Sequence, residues 1–318
     1  MTTPAAAAET TAAAAAGVSI VIATACESVR ATAIERAIAS VSGQGYPDLD
    51  LIVVANGDRI DAEVLDRLAH DSRLRLFTLE EGNVSAARQF GLAQAQGGYF
   101  GFLDDDDELL PGAVAQRVEL MRHHPEADFV VTNGFVQNGS DVPLVDAALA
   151  ARINDDPAGS ALATNYFASA AALFRSARIE PDIFGFRYKY FEWTYLLFSL
   201  LARGKRLRYA DCVTYRMFAN SARSASASEA YVLAYPDFLV ELRALPLDKH
   251  IDAALVRKHQ AALHAASNMH LARDRLGAAW GRHAQSLAGG GWRYLAHTRH
   301  LVRASLGRLA RVVGGRPP

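Results

Sequence analysis

The chain has 318 residues, 51% of them hydrophobic and 21% charged, an ordinary globular composition with room for one large core and an appendage. No apolar run is long enough to cross a bilayer; the densest, Phe191 to Ala202, is too short and carries Glu192 near its start. The net charge of −1 conceals an asymmetry: from Ala253 onward eleven Lys and Arg face a single acid, Asp274, whereas residues 1–252 hold 22 basic and 33 acidic residues. An acidic body with a basic tail points to a partner, not to a fold.

Residues 1–16 are Ala, Thr and Pro with little else. They lack the basic start of a secretory signal and include Glu9, so a disordered tail is expected. Two cysteines, Cys26 and Cys212, make neither a disulfide framework nor a zinc pattern, and a cytoplasmic setting is expected. Val18–Thr24 is a continuous apolar, β-branched run, the pattern of a buried parallel strand. Ala33–Val41 has helical spacing. Leu49–Ala55 reads as a second strand, ended by the turn Asn56-Gly57-Asp58. Asp61–His70 reads as a helix, Leu74–Leu79 as a strand, and Val84–Ala95 as a helix stopped by Gly97-Gly98. Tyr99–Leu103 is a fourth strand, followed by the acids Asp104 to Glu108. Pro111 suits the first turn of the next helix, and Asp128–Thr132 a fifth strand. Residues 136–160 read as a variable loop, Tyr190–Arg203 as a helix ended by Gly204, and Leu207–Met217 as extended. Ser221–Ser228 is a candidate linker, with mostly helix beyond.

This alternation predicts an α/β fold with a mostly parallel sheet, right-handed crossovers and flanking helices. Ligands of such sheets bind at the carboxyl ends of the strands, where Thr24, Asn56 and the run from Asp104 all fall. Five adjacent carboxylates after a buried strand repel one another, and a hard cation such as Mg²⁺ or Mn²⁺ relieves that repulsion. The competing reading is a solvated turn that caps the following helix.

In order and spacing, several segments resemble the inverting family 2 glycosyltransferases of the GT-A, Rossmann-like fold. They are Val18-Ser-Ile-Val-Ile-Ala-Thr24, Ala37-Ile-Ala-Ser-Val-Ser-Gly-Gln-Gly-Tyr-Pro47 and Leu51-Ile-Val-Val-Ala-Asn-Gly57. Gly82-Asn-Val-Ser-Ala-Ala-Arg-Gln-Phe-Gly-Leu92 and Gly101-Phe-Leu-Asp-Asp-Asp-Asp107 complete the set. The resemblance implies a GT-A domain over 17–225, after the tail 1–16, with a helical basic region over 226–318. It implies a nucleotide-diphosphate sugar donor and a divalent metal. Asp104-Asp105-Asp106 matches the family's DXD-type motif, with Asp106 as metal ligand and Asp104 beside the ribose or metal. Thr24, Glu27, Asn56, Arg88 and Asp105 fall around the nucleotide; for Arg88 a surface salt bridge is the competing role. Glu192, in Tyr190-Phe-Glu-Trp-Thr-Tyr-Leu-Leu197, matches the acid before Trp that serves as catalytic base, where a helix-dipole carboxylate is the bland alternative. Burial beside Trp193 and Phe191 is expected to raise its pKa.

The chain departs from the family pattern at Ala23 for Pro, Ala25 for an aromatic, Ala55 for Asp, Phe191 for an acid and Phe218 for a His near the metal. The expected function is inverting sugar transfer to a glycan or lipid-linked acceptor. A catalytically silent nucleotide-sugar-binding relative and a nucleotidyltransferase are the rival readings. Near the C-terminus Trp292, Leu295, Val302, Leu306, Leu309 and Val313 form one helical stripe, interrupted by Arg299. Over 290–313 this gives two readings: a basic amphipathic helix on the inner face of a membrane, or packing on the domain or on a second subunit as a homodimer. No nucleic-acid module accompanies the basic residues.

Overall fold

The computed structural model describes residues 17–185, 190–219 and 228–313. The expected tail 1–16 and the expected linker, up to residue 227, lie outside the described residues. The described residues form two compact units, 17–185 with 192–219, and 190–191 with 228–313.

In the first unit β1 (Val18–Thr24) is buried along its whole length, as a β-branched run covered on both faces must be. It pairs in parallel with β2 (Leu49–Asn56) and β4 (Tyr99–Asp104), and β2 pairs in parallel with β3 (Arg75–Leu79). Helices α1 (Ala31–Ser42), α2 (Ala62–Ala69) and α3 (Val84–Gln94) separate the strands. Asp61 caps α2 by accepting from the Glu63 and Val64 N–H groups, and Asn83 caps α3 by accepting from Ser85 and Ala86. Gly57 turns the chain out of β2 at φ 94°, a conformation that costs glycine little. Gly91 lets α3 lie close on the sheet; a Cβ there would stand 2.4 Å from Val21 Cγ1 and 3.2 Å from Val54 Cγ2.

Beyond β4 come β5 (Glu108–Leu109), α4 (Ala113–His123), β6 (Phe129–Asn138), β7 (Ser140–Pro143), α5 (Ala147–Ile153), α6 (Pro157–Ala163), β8 (Ala172–Arg175), α7 (Glu192–Ala202) and β9 (Leu207–Phe218). The sheet order is β3-β2-β1-β4-β8-β6-β9-β5, with β7 on the free side of β6. β8 runs antiparallel between β4 and β6, and β9 returns parallel to β6. Parallel ladders carry most of the pairing, which gives the expected α/β class. Arg117 is buried under this second half and donates to Thr132 Oγ1 and Thr214 Oγ1 at 3.2 and 2.6 Å, tying β6 to β9.

Two local expectations are corrected. Residues 136–160 are not a loop: β6 continues into a hairpin with β7, and two short helices follow, capped by Asp146 and Asp156. Pro111 does not enter the next helix, because α4 starts at Ala113 behind a left-handed Gly112 cap at φ 78°.

The second unit consists of α8 (Glu229–Arg243), α9 (Lys249–Ala272), α10 (Leu276–Ala288) and α11 (His297–Val313). Successive helices pack on one another. Phe191 belongs here: it is buried, stacked on Phe238 at 4.4 Å and tilted against Tyr231 at 4.6 Å. That packing is a physical reason for an apolar residue where the family commonly has an acid. Among the described residues no helix is long and apolar enough to cross a membrane. The C-terminal stripe does not pack inward: Trp292, Leu295, Val302, Leu306 and Leu309 are all exposed, whereas α11 buries His297 and Leu301. The side chain of Val313 lies outside the described ones.

His297 sits among His264, His283 and His300, and burial first, then these neighbours, push it from 6.5 down to about 4. Its Nε2 pairs with Ser267 Oγ at 3.0 Å. The folded state therefore favours neutral His297, and the unfolded chain binds the proton first as pH falls. This residue's stabilisation is complete above pH 6.5 and is lost between there and about 4. Unfolding free energies from urea titrations across that window should fall, as pH is lowered, with a slope of up to about 1.4 kcal/mol per pH unit from this one group. His297→Gln should flatten that slope.

Candidate active site

The acidic run sits where β4 leaves the sheet, and the following residues do not cap a helix. Asp104 ends β4, and the chain turns so that Asp107 N–H bonds back to Asp104 O at 3.1 Å. Then β5 clips antiparallel onto β9, Glu108 opposite Arg216 and Leu109 opposite Tyr215. No acid lies in the first turn of α4, so the capping reading of these carboxylates is excluded. They are held as a short turn between two strand ends.

Their surroundings are basic. Arg30, at the start of α1, pairs with Asp105 and, at 2.8 Å, with Asp106 Oδ2. Arg88 pairs with Asp104 Oδ1 at 2.8 Å. Arg36 donates to the Asp106 carbonyl, lies 3.8 Å from Glu108 and stacks over the Phe218 ring at 3.7 Å. Asp107 accepts from the Phe218 N–H at 3.3 Å. The arginines do not offset the crowding fully. Burial raises Asp105 to about 6 despite Arg30 and Thr24. Burial and then Asp104 raise Asp106, and burial with both neighbours raises Asp107 well above the usual carboxylate range. Each shift means that the site disfavours the ionised carboxylate.

The other residues singled out in the sequence gather here unequally. Thr24 is buried and gives its hydroxyl to Asp105 Oδ2 at 2.6 Å. Asn56 is buried and donates its amide to Thr24 O at 2.9 Å; its Oδ1 has no partner among the described residues. These two brace the carboxyl end of β1 against Asp105. Cys26 follows in the left-handed region at φ 53°, with its N–H on Thr24 Oγ1, so backbone strain is stored beside the acidic turn. Glu27 pairs with Arg59 at 2.6 Å, on the β1 side of the site.

Arg88 is not at the surface. It is 6% exposed, and its guanidinium lies 4.8 Å from the centroid of Trp193 while pairing with Asp104. Trp193 also meets Phe102 of β4 at 5.6 Å and Phe167 at 6.3 Å. Behind it Phe100, Phe174 and Phe184 fill the core, with Phe100 and Phe174 stacked at 5.0 Å. The aromatic cluster thus seats the N-terminal turn of α7 beside β4. Glu192 is the first residue of that turn and is half-buried. Arg88→Met removes an ion pair and a cation over a ring, and should cost roughly 1–3 kcal/mol of folding stability in urea titrations. An unchanged midpoint would show that the pair contributes nothing.

Arg30 and Arg36 were not singled out from the sequence. A pair of basic residues on the helix after the first strand, in the acid-rich part of the chain, was the available signal. Among the described residues no group of three or more His, Cys, Asp or Glu is arranged to hold a metal. The donor set is carboxylate oxygen alone: Asp104 and Asp106 keep side-chain exposures of 37% and 23%, and the other turn acids are more buried. Two partly open carboxylates fit a hard cation that takes its remaining ligands from phosphate and water.

A mostly parallel, Rossmann-type sheet flanked by helices, with an Asp-rich turn closing its central strand β4, is the GT-A architecture. Residues 19–191 match the family model "Glycosyl transferase family 2", more than half of the chain, and the protein belongs to that family. Among its relatives is the Bacillus subtilis protein EpsJ, described as an uncharacterized glycosyltransferase, 34% identical over 34% of this chain and 31% of that one. Another is the Campylobacter jejuni GalNAc(5)-diNAcBac-PP-undecaprenol beta-1,3-glucosyltransferase, 34% identical over 27% of this chain and 29% of that protein. The matched segments span less than a third of each of these two relatives. In fold the chain is similar to Staphylococcus aureus TarS 1–349 crystallised with UDP-GlcNAc, with a TM-score of 0.53 and 16% identity over 80% of this chain and 73% of that one.

Proposed function

We propose that this enzyme moves a sugar, with inversion, from a nucleotide-diphosphate donor to a glycan or lipid-linked acceptor. The observation that carries the reading is the juxtaposition, through Arg88, of the Asp104–Asp106 turn with the Trp193 end of α7, where Glu192 stands. Direct displacement at an anomeric carbon needs positive charge on the leaving diphosphate side and a carboxylate on the acceptor side. The turn would supply the first through the cation it holds and through Arg30, and the helix would supply the second through Glu192.

Asp106 and Asp104 would hold a divalent cation, Mn²⁺ or Mg²⁺, which would supply charge neutralisation at the leaving diphosphate. Arg30 adds fixed positive charge beside the same carboxylates. Thr24 keeps Asp105 in place, and the amide oxygen of Asn56 accepts from a base N–H. Arg88 sets the spacing between Asp104 and Trp193. Glu192 takes the proton from the attacking acceptor hydroxyl. The UDP-GlcNAc in the TarS crystals and the undecaprenol-diphosphate-linked acceptor in the Campylobacter protein's name support a nucleotide sugar and a lipid-linked glycan as substrate classes. Such an acceptor is consistent with the expected setting, the cytoplasm at the inner membrane face.

Nucleoside-diphosphate release from a panel of nucleotide sugars, with and without Mn²⁺, tests this. Metal-stimulated release from one donor class is expected. Formation of nucleoside triphosphate and sugar 1-phosphate from the same donors when pyrophosphate is added instead identifies a nucleotidyltransferase, and donor binding without turnover a silent relative; either result overturns the proposal.

A further inference from the structure

The large apolar side chains exposed on this protein are unevenly distributed. Among the described residues four are isolated valines; the rest are Trp292, Leu295, Val302, Leu306 and Leu309, all in the segment that enters and forms α11. Trp292 is 67% exposed, Leu306 61% and Leu309 60%. Single exposed hydrophobics need no explanation, but a contiguous set does.

Helical phase explains how α11 carries two apolar faces. His297 and Leu301 point inward, and Ser305 on the same side accepts from Trp280 Nε1 of α10 at 3.0 Å. Val302, Leu306 and Leu309 follow at i, i+4 and i+7 on a different face, left in solvent. Arg299 and Arg303 run along one edge of that outer stripe, and Arg308 and Arg311 lie further round. All four are exposed. No Asp or Glu occurs between Arg275 and Val313. Three acids of the unit are already engaged, Glu229 by Arg273 and Arg275, Asp237 by Arg282 and Asp252 by Arg243.

We infer that this outer face of α11, with Trp292 and Leu295 at its approach, docks on an anionic phospholipid surface. An apolar stripe edged by uncompensated arginines matches acyl chains below a layer of negative headgroups, and Trp suits the interface between them. A second copy of the chain fits less well, since a two-fold contact would bring two arginine edges together with no acid to separate them. Bare phosphate chemistry would leave the leucines unused.

Co-sedimentation of the full chain with vesicles tests the surface. Binding to phosphatidylcholine vesicles containing about 30 mol% phosphatidylglycerol should exceed binding to pure phosphatidylcholine by roughly tenfold or more, and should weaken at high salt. Leu306→Gln with Leu309→Gln, both at exposed positions, should reduce binding to the anionic vesicles by about tenfold with unchanged circular dichroism. Arg303→Gln with Arg311→Gln should remove most of the preference for anionic lipid, and serves alone if the leucine pair alters the helix. Equal retention on the two vesicle types, or none on either, overturns the inference. So does a dimer in sedimentation analysis that the leucine pair disperses while vesicle binding is unaffected, because the stripe then belongs to a second copy.

Discussion

Glu192→Gln should lower the rate of sugar transfer by about 10²–10⁴-fold while leaving donor affinity within a few-fold of wild type. The side chain keeps its size and its place at the start of α7, beside Trp193. What it loses is the ability to accept a proton from the acceptor hydroxyl. On the proposed reading, donor binding is set on the other side of the site, by the turn after β4 and the residues that brace it. Turnover and calorimetric donor binding measured together separate the two effects. Wild-type turnover in the variant removes Glu192 from the chemistry, whereas joint loss of turnover and donor binding makes it a structural residue.

Asp106→Asn should have an effect of similar size through a different quantity. Asp106 has its carboxylate raised by burial and by Asp104, and Arg30 shares it. Asparagine removes the negative charge but keeps the shape, so the turn should survive. Mn²⁺ binding in the presence of the nucleoside diphosphate, read by electron paramagnetic resonance of the free ion, should weaken by roughly 10²-fold or more, and transfer should fall in step. Undiminished Mn²⁺ binding would assign the cation elsewhere. Lost turnover with intact Mn²⁺ binding would leave Asp106 a role in orienting the donor only.

The centre of the parallel half of the sheet is legible in the sequence because β1, most of β2 and β4 are buried on both faces. Val18–Thr24 and Leu49–Ala55 leave no alternative to a covered strand, and a carboxylate run directly after such a strand must emerge at its end. Ion pairing at that end is not legible. Arg30 and Arg36 lie about 70 residues before their partners, and each reads locally as an ordinary basic residue near or on an amphipathic helix. Strand β5 is only two residues long and exists because β9 passes beside it, so no periodicity could announce it. The helices within 136–160 were announced, by Asp146, Asp156 and Pro157 at their starts, but seven residues each gave too little apolar period to outweigh the polar stretch around them. The inward and outward faces of α11 share a single sequence pattern, and only packing separates Leu301 from Leu306.

The position of Arg88 depends on an atom that is missing. Gly91 lies three residues along the same helix, and Val21 and Val54 fill the space its side chain would need. Any heavier residue would lift α3 from the sheet and carry the guanidinium away from both Asp104 and the Trp193 ring. A position without functional groups therefore fixes how closely the charged residue it serves can approach its partners. Its intolerance in a mutational survey would reflect the distance between two backbones and no chemistry of its own.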